Sequence, residues 1–261
     1  MIGDVRRIED PADERIAPYR DVGNHDALRA RGLFVAEGRF VVQRLLEDGR
    51  FTVDSVLVTP AAHAGLASTL AASGVPVIVC VPDVLNAVTV YNFHRGCLAL
   101  ARRPVTEPDV ESLCAARRVL VVEGVGNPDN IGGIFRSALA LGGGGIVLDD
   151  RSGDPLYRKA IRTSMAATLR VPFARAPLTH ALPALRANGF QLIALTPSAG
   201  AVDVRGVVPA PKVALLLGAE GDGLSKEALD SADVRARIVI DASADSLNVA
   251  VAAGIALHAL G

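Results

Sequence analysis

Five short runs in the C-terminal part of this chain are apolar along nearly their whole length, four of them opening on a single polar residue, and they constrain the fold more than any other feature. They lie at 118–122, 145–148, 191–195, 212–217 and 237–240. A strand that is apolar on both faces has to be covered on both faces, which a sheet with one wet side cannot provide. Segments of helical character separate these runs, at 131–141, 155–166, 181–188, 225–232 and 246–260. Strands alternating with helices in this way predict a parallel sheet with helices on both sides, a doubly wound α/β domain. The apolar residues are mostly aliphatic, with no Trp, three Tyr and seven Phe, which fits helices packed on a buried sheet. The four glycines at 142–145 are expected to close one helix and let the next strand start tightly.

Upstream, Arg102-Arg103-Pro104-Val105-Thr106-Glu107-Pro108-Asp109 combines two prolines with several charges and no apolar period, and reads as an interdomain linker. It divides residues 1–104 from 117–261, with 105–116 between them. The N-terminal part carries strand-like runs at 33–36, 53–58 and 75–81 and helical segments at 38–48 and 61–72, the first ending near Gly49. This is a small α/β unit, and 261 residues suit one small and one larger domain.

No run reaches the roughly 18 apolar residues that a membrane span needs. The nearest, 249–260, contains His258, and the acidic N-terminus lacks the apolar core of a signal peptide, so a cytoplasmic location is expected. Cys80, Cys97 and Cys114 fit neither a disulfide framework nor a zinc site and are expected to be reduced and buried. The formal net charge of -1 supplies no general attraction for a polyanion and, taken alone, counts against nucleic acid.

Three loops follow predicted strands at the ends where open α/β sheets place their ligands. The first, Glu123-Gly124-Val125-Gly126-Asn127-Pro128-Asp129-Asn130-Ile131-Gly132-Gly133-Ile134-Phe135-Arg136, offers backbone donors and amides at a helix start, with Asn130 as a possible cap. The second, Leu217-Gly218-Ala219-Glu220-Gly221-Asp222-Gly223-Leu224-Ser225, is glycine-rich but lacks the Walker spacing, and Gly124 and Gly126 lack the third glycine of a dinucleotide fingerprint. In the third, Asp245-Ser246-Leu247-Asn248, either Ser246 or Asp245 could cap the helix that follows. There is no G-x-S-x-G elbow, no H-E-x-x-H and no close His/Cys spacing, so esterase and zinc-hydrolase readings lack support and no metal is expected. Tyr91-Asn92-Phe93-His94-Arg95-Gly96, the one dense aromatic and basic patch, is read as core packing with a polar edge ahead of a base-stacking surface.

Taken in order, the three loops resemble the three motifs of the SpoU, or TrmH-like, branch of the SPOUT RNA methyltransferases. Asn127 through Arg136 resembles motif one, Leu216 through Ser225 motif two, and Arg237-Ile238-Val239-Ile240 with Ser246 through Gly254 motif three. Asp154-Pro155 and Arg162-Thr163-Ser164-Met165 resemble the intervening segment, and Gly32 through Gly38 is similar to the entry into the ribosomal-protein-like substrate-binding domain of many members. Val239 stands where motif three usually has proline, and Ala166-Ala167 where many members have glycine.

The resemblance implies a small RNA-binding α/β domain followed by a parallel-sheet α/β/α domain with a deep trefoil knot, an exception to the rule that chains do not thread loops. It implies S-adenosylmethionine as cofactor, a homodimer with shared active sites, and methylation of a ribose 2′-hydroxyl in RNA, rRNA favoured over tRNA. Arg136, Asn130 and Glu220 match the catalytic positions. Gly218, Ile238 and Leu247 match cofactor-binding positions, with Leu195, Thr196, Ser246 and Asn248 as neighbouring candidates. Arg151, Arg158, Lys159 and Arg162 are candidates for RNA phosphate contact, weighed equally with a solvated helix face. The alternatives are a non-catalytic RNA-binding or ribosome-assembly protein on the same fold, and methylation at a base nitrogen.

Overall fold

Aliphatic residues fill the strands of two separate sheets, and the chain divides accordingly into two units. The computed structural model describes residues 5–20, 22–89 and 95–261; His94 and its aromatic neighbours lie outside them. The first unit contains β1 (Val5–Ile8), a 3-10 helix (Glu14–Tyr19), α1 (His25–Ala30), β2 (Leu33–Glu37), α2 (Arg39–Asp48), β3 (Val53–Val58), α3 (Pro60–Ser73), β4 (Val77–Cys80), α4 (Pro82–Thr89) and β5 (Cys97–Arg102). The order across its sheet is β1-β4-β3-β5-β2, with β4 parallel to β1 and β3, and β5 antiparallel to β2 and β3. Gly49 closes α2 in the left-handed conformation, as a helix C-terminus favours. Tyr19 is fully buried among Leu57, Leu98 and Leu100, and its hydroxyl pairs with Ser55 Oγ at 2.8 Å, which satisfies the polar tip inside an apolar core.

After Val105 the chain enters the second unit through β6 (Arg118–Glu123), α5 (Pro128–Ala140) and β7 (Gly145–Leu148). Residues 156–169, which form α6 (Arg158–Thr163) and α7 (Ala167–Arg170, apart from its last residue), group with the first unit. There Arg158 Nη1 lies 3.4 Å from the buried Glu37 carboxylate, which Arg95 also approaches at 3.5 Å. The rest of the second unit is β8 (Phe173–Arg175), α8 (Leu178–Ala187), β9 (Gln191–Leu195), β10 (Val202–Asp203), β11 (Val213–Gly218), α9 (Lys226–Ser231), β12 (Val234–Arg237) and α10 (Val249–Ala259). All seven strands are parallel, in the order β10-β12-β9-β11-β6-β7-β8. The chain builds outward from β6 through β7 to β8, then restarts on the other side at β9. That reversal creates the crevice at the carboxyl ends of the central strands where such sheets bind ligands.

Several sequence expectations need correction. The segment 105–116 is mostly exposed, but it is not a free linker throughout, because Val110, Leu113 and Cys114 are buried in the second unit's hydrophobic cluster. The strand expected at 237–240 runs over Val234–Arg237 instead, and Ile238 to Ile240 leave the sheet. The helix expected at 155–166 shrinks to α6, because Met165 and Ala166 both take left-handed backbone conformations, φ 51° and 68°, which cannot continue a right-handed helix. Among the described residues no helix is long and apolar enough to cross a membrane.

Candidate active site

The crevice holds a cleft of about 380 Å³, within the size range of small-molecule sites. Its walls come from the end of β9 (Leu195, Thr196, Pro197), the end of β11 and its turn (Leu217 to Gly221, with Gly223), the segment after β12 (Ile238, Ile240) and the start of α10 (Asp245 to Leu247, Val249, Ala252). Each element has a local cause. Gly218 has no room for a side chain, since a Cβ there would lie 2.2 Å from the carbonyl carbon of Gly223, so the turn folds directly over the strand end. Gly221 and Gly223 have φ of 90° and 70°, which allows that turn. The Thr196 N–H donates to the Ala236 carbonyl at 2.9 Å and fixes the end of β9 against β12.

The helix starts place the polar groups. Asn127, not Asn130, caps α5, its Oδ1 accepting from the Asp129 N–H at 2.9 Å with Pro128 in the first turn. Asn130 is thereby free of capping and is buried within the helix. Asn248, not Ser246 or Asp245, caps α10, its Oδ1 accepting from the N–H groups of Ala250 and Val251. The Asn248 Nδ2 then donates to Asn130 Oδ1 at 2.8 Å and to Glu220 Oε1 at 2.9 Å. One side-chain amide thus joins all three loops. α5 and α10 approach closely because Gly133 faces Ala250, leaving only 2.6 Å to a hypothetical Cβ, and Gly254 faces Ser137.

Arg136 is exposed on α5 and makes no hydrogen bond or ion pair with a described residue. Gly218, Ile238, Leu247, Leu195, Thr196 and Ser246 all line the cleft, and Asn248 adjoins it between Leu247 and Val249. Sequence reasoning missed Ile240, Asp245, Val249 and Ala252. The first was assigned to a strand and the last two to a packed helix, and only the path of 238–248 brings them to the cleft. The cationic candidates do not form one group: Arg151 belongs to the second unit, whereas Arg158, Lys159 and Arg162 belong to the first. Arg158 is engaged with Glu37, while Arg151 contacts Glu123 and Asp149. Lined by the carboxylates Glu220 and Asp245 and several aliphatic side chains, with no Lys or Arg among the described lining residues, the cleft suits a compact ligand that carries positive charge and a flat or apolar part.

A seven-stranded parallel sheet with a ligand cleft at its reversal point, bounded by a glycine turn and an Asn-capped helix, makes the second unit an open α/β domain. Residues 117–258 match the SpoU rRNA Methylase family, and the chain belongs to that family. An uncharacterised tRNA/rRNA methyltransferase of Mycobacterium bovis is 41% identical, over 98% of this chain and 91% of that protein. The 23S rRNA (guanosine(2553)-2′-O)-methyltransferase RlmP of Bacillus subtilis is 26% identical over 98% of this chain and 99% of its own length. The crystal structure of an AdoMet-bound rRNA methyltransferase from Sinorhizobium meliloti superimposes with a TM-score of 0.85 at 26% identity, covering 99% of this chain and 98% of the other.

Proposed function

We propose that this chain transfers a methyl group from S-adenosylmethionine, bound in the cleft, to a ribose 2′-hydroxyl of RNA, with rRNA as the favoured substrate over tRNA. The observation that carries the reading is the Asn248 amide joining Asn130 and Glu220 beside the cleft. The residues present fit the cofactor. Gly218 clears the space above β11, Leu195, Leu217, Ile238 and Leu247 offer apolar walls for an adenine ring, and Glu220 and Asp245 suit its cationic part. When bound, it supplies an activated methyl group, so the protein's work is to bind, align and assist loss of one proton.

In this reading Asn130, Glu220 and Arg136 form the catalytic set. Asn248 holds the first two in fixed relation. A guanidinium keeps its proton under all ordinary conditions, so Arg136 grips a phosphate next to the reacting hydroxyl with two parallel donors and does not act as the base. Arg136 serves this role in a homodimer. That assembly is supported by its exposure and by the exposed apolar side chains Leu139 of α5 and Val251 and Ile255 of α10, on two helices packed together. The proposal includes a trefoil knot in the second unit, a cytoplasmic location and RNA recognition by the first unit. The knot is supported by the family match.

A non-catalytic binder on this fold would not need Asn130, Glu220 and Asn248 in one hydrogen-bonded centre. Titration calorimetry with S-adenosylmethionine separates enzyme from pure RNA binder. Mapping 2′-O-methyl sites in RNA from cells lacking the gene separates ribose from base-nitrogen transfer and names the substrate.

A further inference from the structure

β6 and β7 are adjacent parallel strands; β6 ends on the buried carboxylate Glu123, and β7 is followed directly by another, Asp149. Asp149 ties the two neighbouring strand ends together: its Oδ1 accepts from the Gly124 N–H, in the loop after β6, at 2.9 Å and from the Ser152 hydroxyl, in the turn after β7, at 2.5 Å. Glu123 is different. It is 4% exposed, and its Oε2 accepts at 2.9 Å from the backbone N–H of Ser225, 102 residues away. Ser225 is the last residue of the turn over Gly218 and the N-cap of α9, its own hydroxyl accepting from the Ala228 N–H. The other Glu123 oxygen lies 3.5 Å from Arg151 Nη2.

The turn between Gly218 and Ser225 supplies Ala219, Glu220, Gly221 and Gly223 to the cleft. At its start it is fixed by β11, and in its middle by the Gly223 N–H donating to the Ala219 carbonyl at 3.0 Å. Its far end is tied to the central sheet by Glu123. A carboxylate bond to a backbone N–H in a buried site is strong, and it leaves a costly unpaired group when broken. We infer that Glu123 is a positioning residue for the cofactor cleft: through the Ser225 N–H it holds the turn that places Glu220 against Asn248. A functional site of this kind depends on the groups that support its lining as much as on the lining. The inference rests on the cleft being the S-adenosylmethionine site.

The experiment measures S-adenosylmethionine binding by calorimetry on the full chain, together with the thermal midpoint, for four variants. Glu123→Ala should weaken binding about tenfold or more, as loss of a charge-assisted hydrogen bond implies, while Glu123→Gln, which keeps an acceptor oxygen for Ser225, should recover most of it. Ser225→Pro removes the donor N–H and should reproduce the Glu123→Ala loss. Ser225→Ala removes only the cap and should lower the midpoint with far less effect on affinity. If Glu123→Ala does not fold, the two Ser225 variants decide alone. Unchanged affinity in Ser225→Pro, or a Glu123→Gln loss as large as that of Glu123→Ala, overturns the inference. Absence of binding by the unsubstituted protein would instead overturn the cofactor reading.

Discussion

The Asn248 side chain donates to Glu220 Oε1 at 2.9 Å while its own carbonyl oxygen caps α10. The two ends of one amide therefore do separable work, which a single substitution can divide. Asn248→Asp keeps an oxygen for the cap but turns a donor into a carboxylate facing Glu220 and the Asn130 oxygen. Two lost hydrogen bonds at roughly 1–3 kcal/mol each, plus like-charge repulsion, amount to on the order of a hundredfold in rate. Methyl-transfer kinetics should show that loss, accompanied by a lowered thermal midpoint, because the two bonds also hold the fold together. A midpoint drop without loss of rate would assign Asn248 to the helix alone.

Arg136 is exposed and lies outside the cleft lining. Arg136→Ala should abolish methyl transfer while leaving S-adenosylmethionine affinity unchanged by calorimetry. Arg136→Lys should not restore the rate, because an ammonium cannot reproduce a two-point grip. Substantial activity in a radiolabelled methyl assay on RNA with either variant would remove Arg136 from its assigned role.

RNA contact by the basic side chains can be separated from their structural work. Arg158 lies 3.4 Å from the buried Glu37, and Arg158→Ala should cost about 1–3 kcal/mol of stability, with Arg95 compensating in part. Lys159→Ala with Arg162→Ala leaves the Arg158–Glu37 contact in place. If these residues meet phosphates, the double variant should flatten the slope of log affinity against log salt by about two. An unchanged slope would move the contact surface elsewhere.

The cysteines predict alkaline behaviour. Burial pushes the Cys97 thiol up to about 12 and Cys80 up to about 11, from 9.0. The unfolded chain therefore loses these protons first. Their stabilising effect is complete below about pH 9 and falls as pH rises towards 11 and 12. Urea unfolding at pH 7, 8.5 and 10.5 should give equal stability at the first two and less at the third. All three thiols are buried and should resist a thiol reagent at pH 8 until the chain unfolds.

Met165, at φ 51° and 45% exposed, carries backbone strain with little packing in return. Met165→Gly should raise the thermal midpoint by about 2 °C. A lowered midpoint would mean that its side chain contributes more than its exposure implies.

Much of the second unit was legible because buried parallel strands write themselves as continuous apolar runs. Those at 145–148 and 191–195 coincide with β7 and β9. β8 and β10, at three and two residues, were not legible, since such short pieces become strands only by pairing at a sheet edge. The three site loops were recognisable, but their caps were not. Asn127 and Asn130, like Ser246 and Asn248, compete within a few residues, and local preference ranks them almost equally. The choice is made by contacts more than 100 residues apart in sequence, such as the one between Asn248 and Asn130. Val110 and Leu113 were hidden for a related reason: flanking prolines and charges concealed two core residues, although the neighbouring Cys114 was expected to be buried.

Methyl transfer to a ribose oxygen by the centre that Asn248 ties together is open to one decisive assay. The direct measurement is transfer of radiolabelled methyl from S-adenosylmethionine to rRNA from cells lacking the gene, followed by digestion and nucleoside analysis. The account predicts label in a single 2′-O-methylated nucleoside, lost with Asn248→Asp. Label on a base nitrogen, or none at all with S-adenosylmethionine bound, would contradict it.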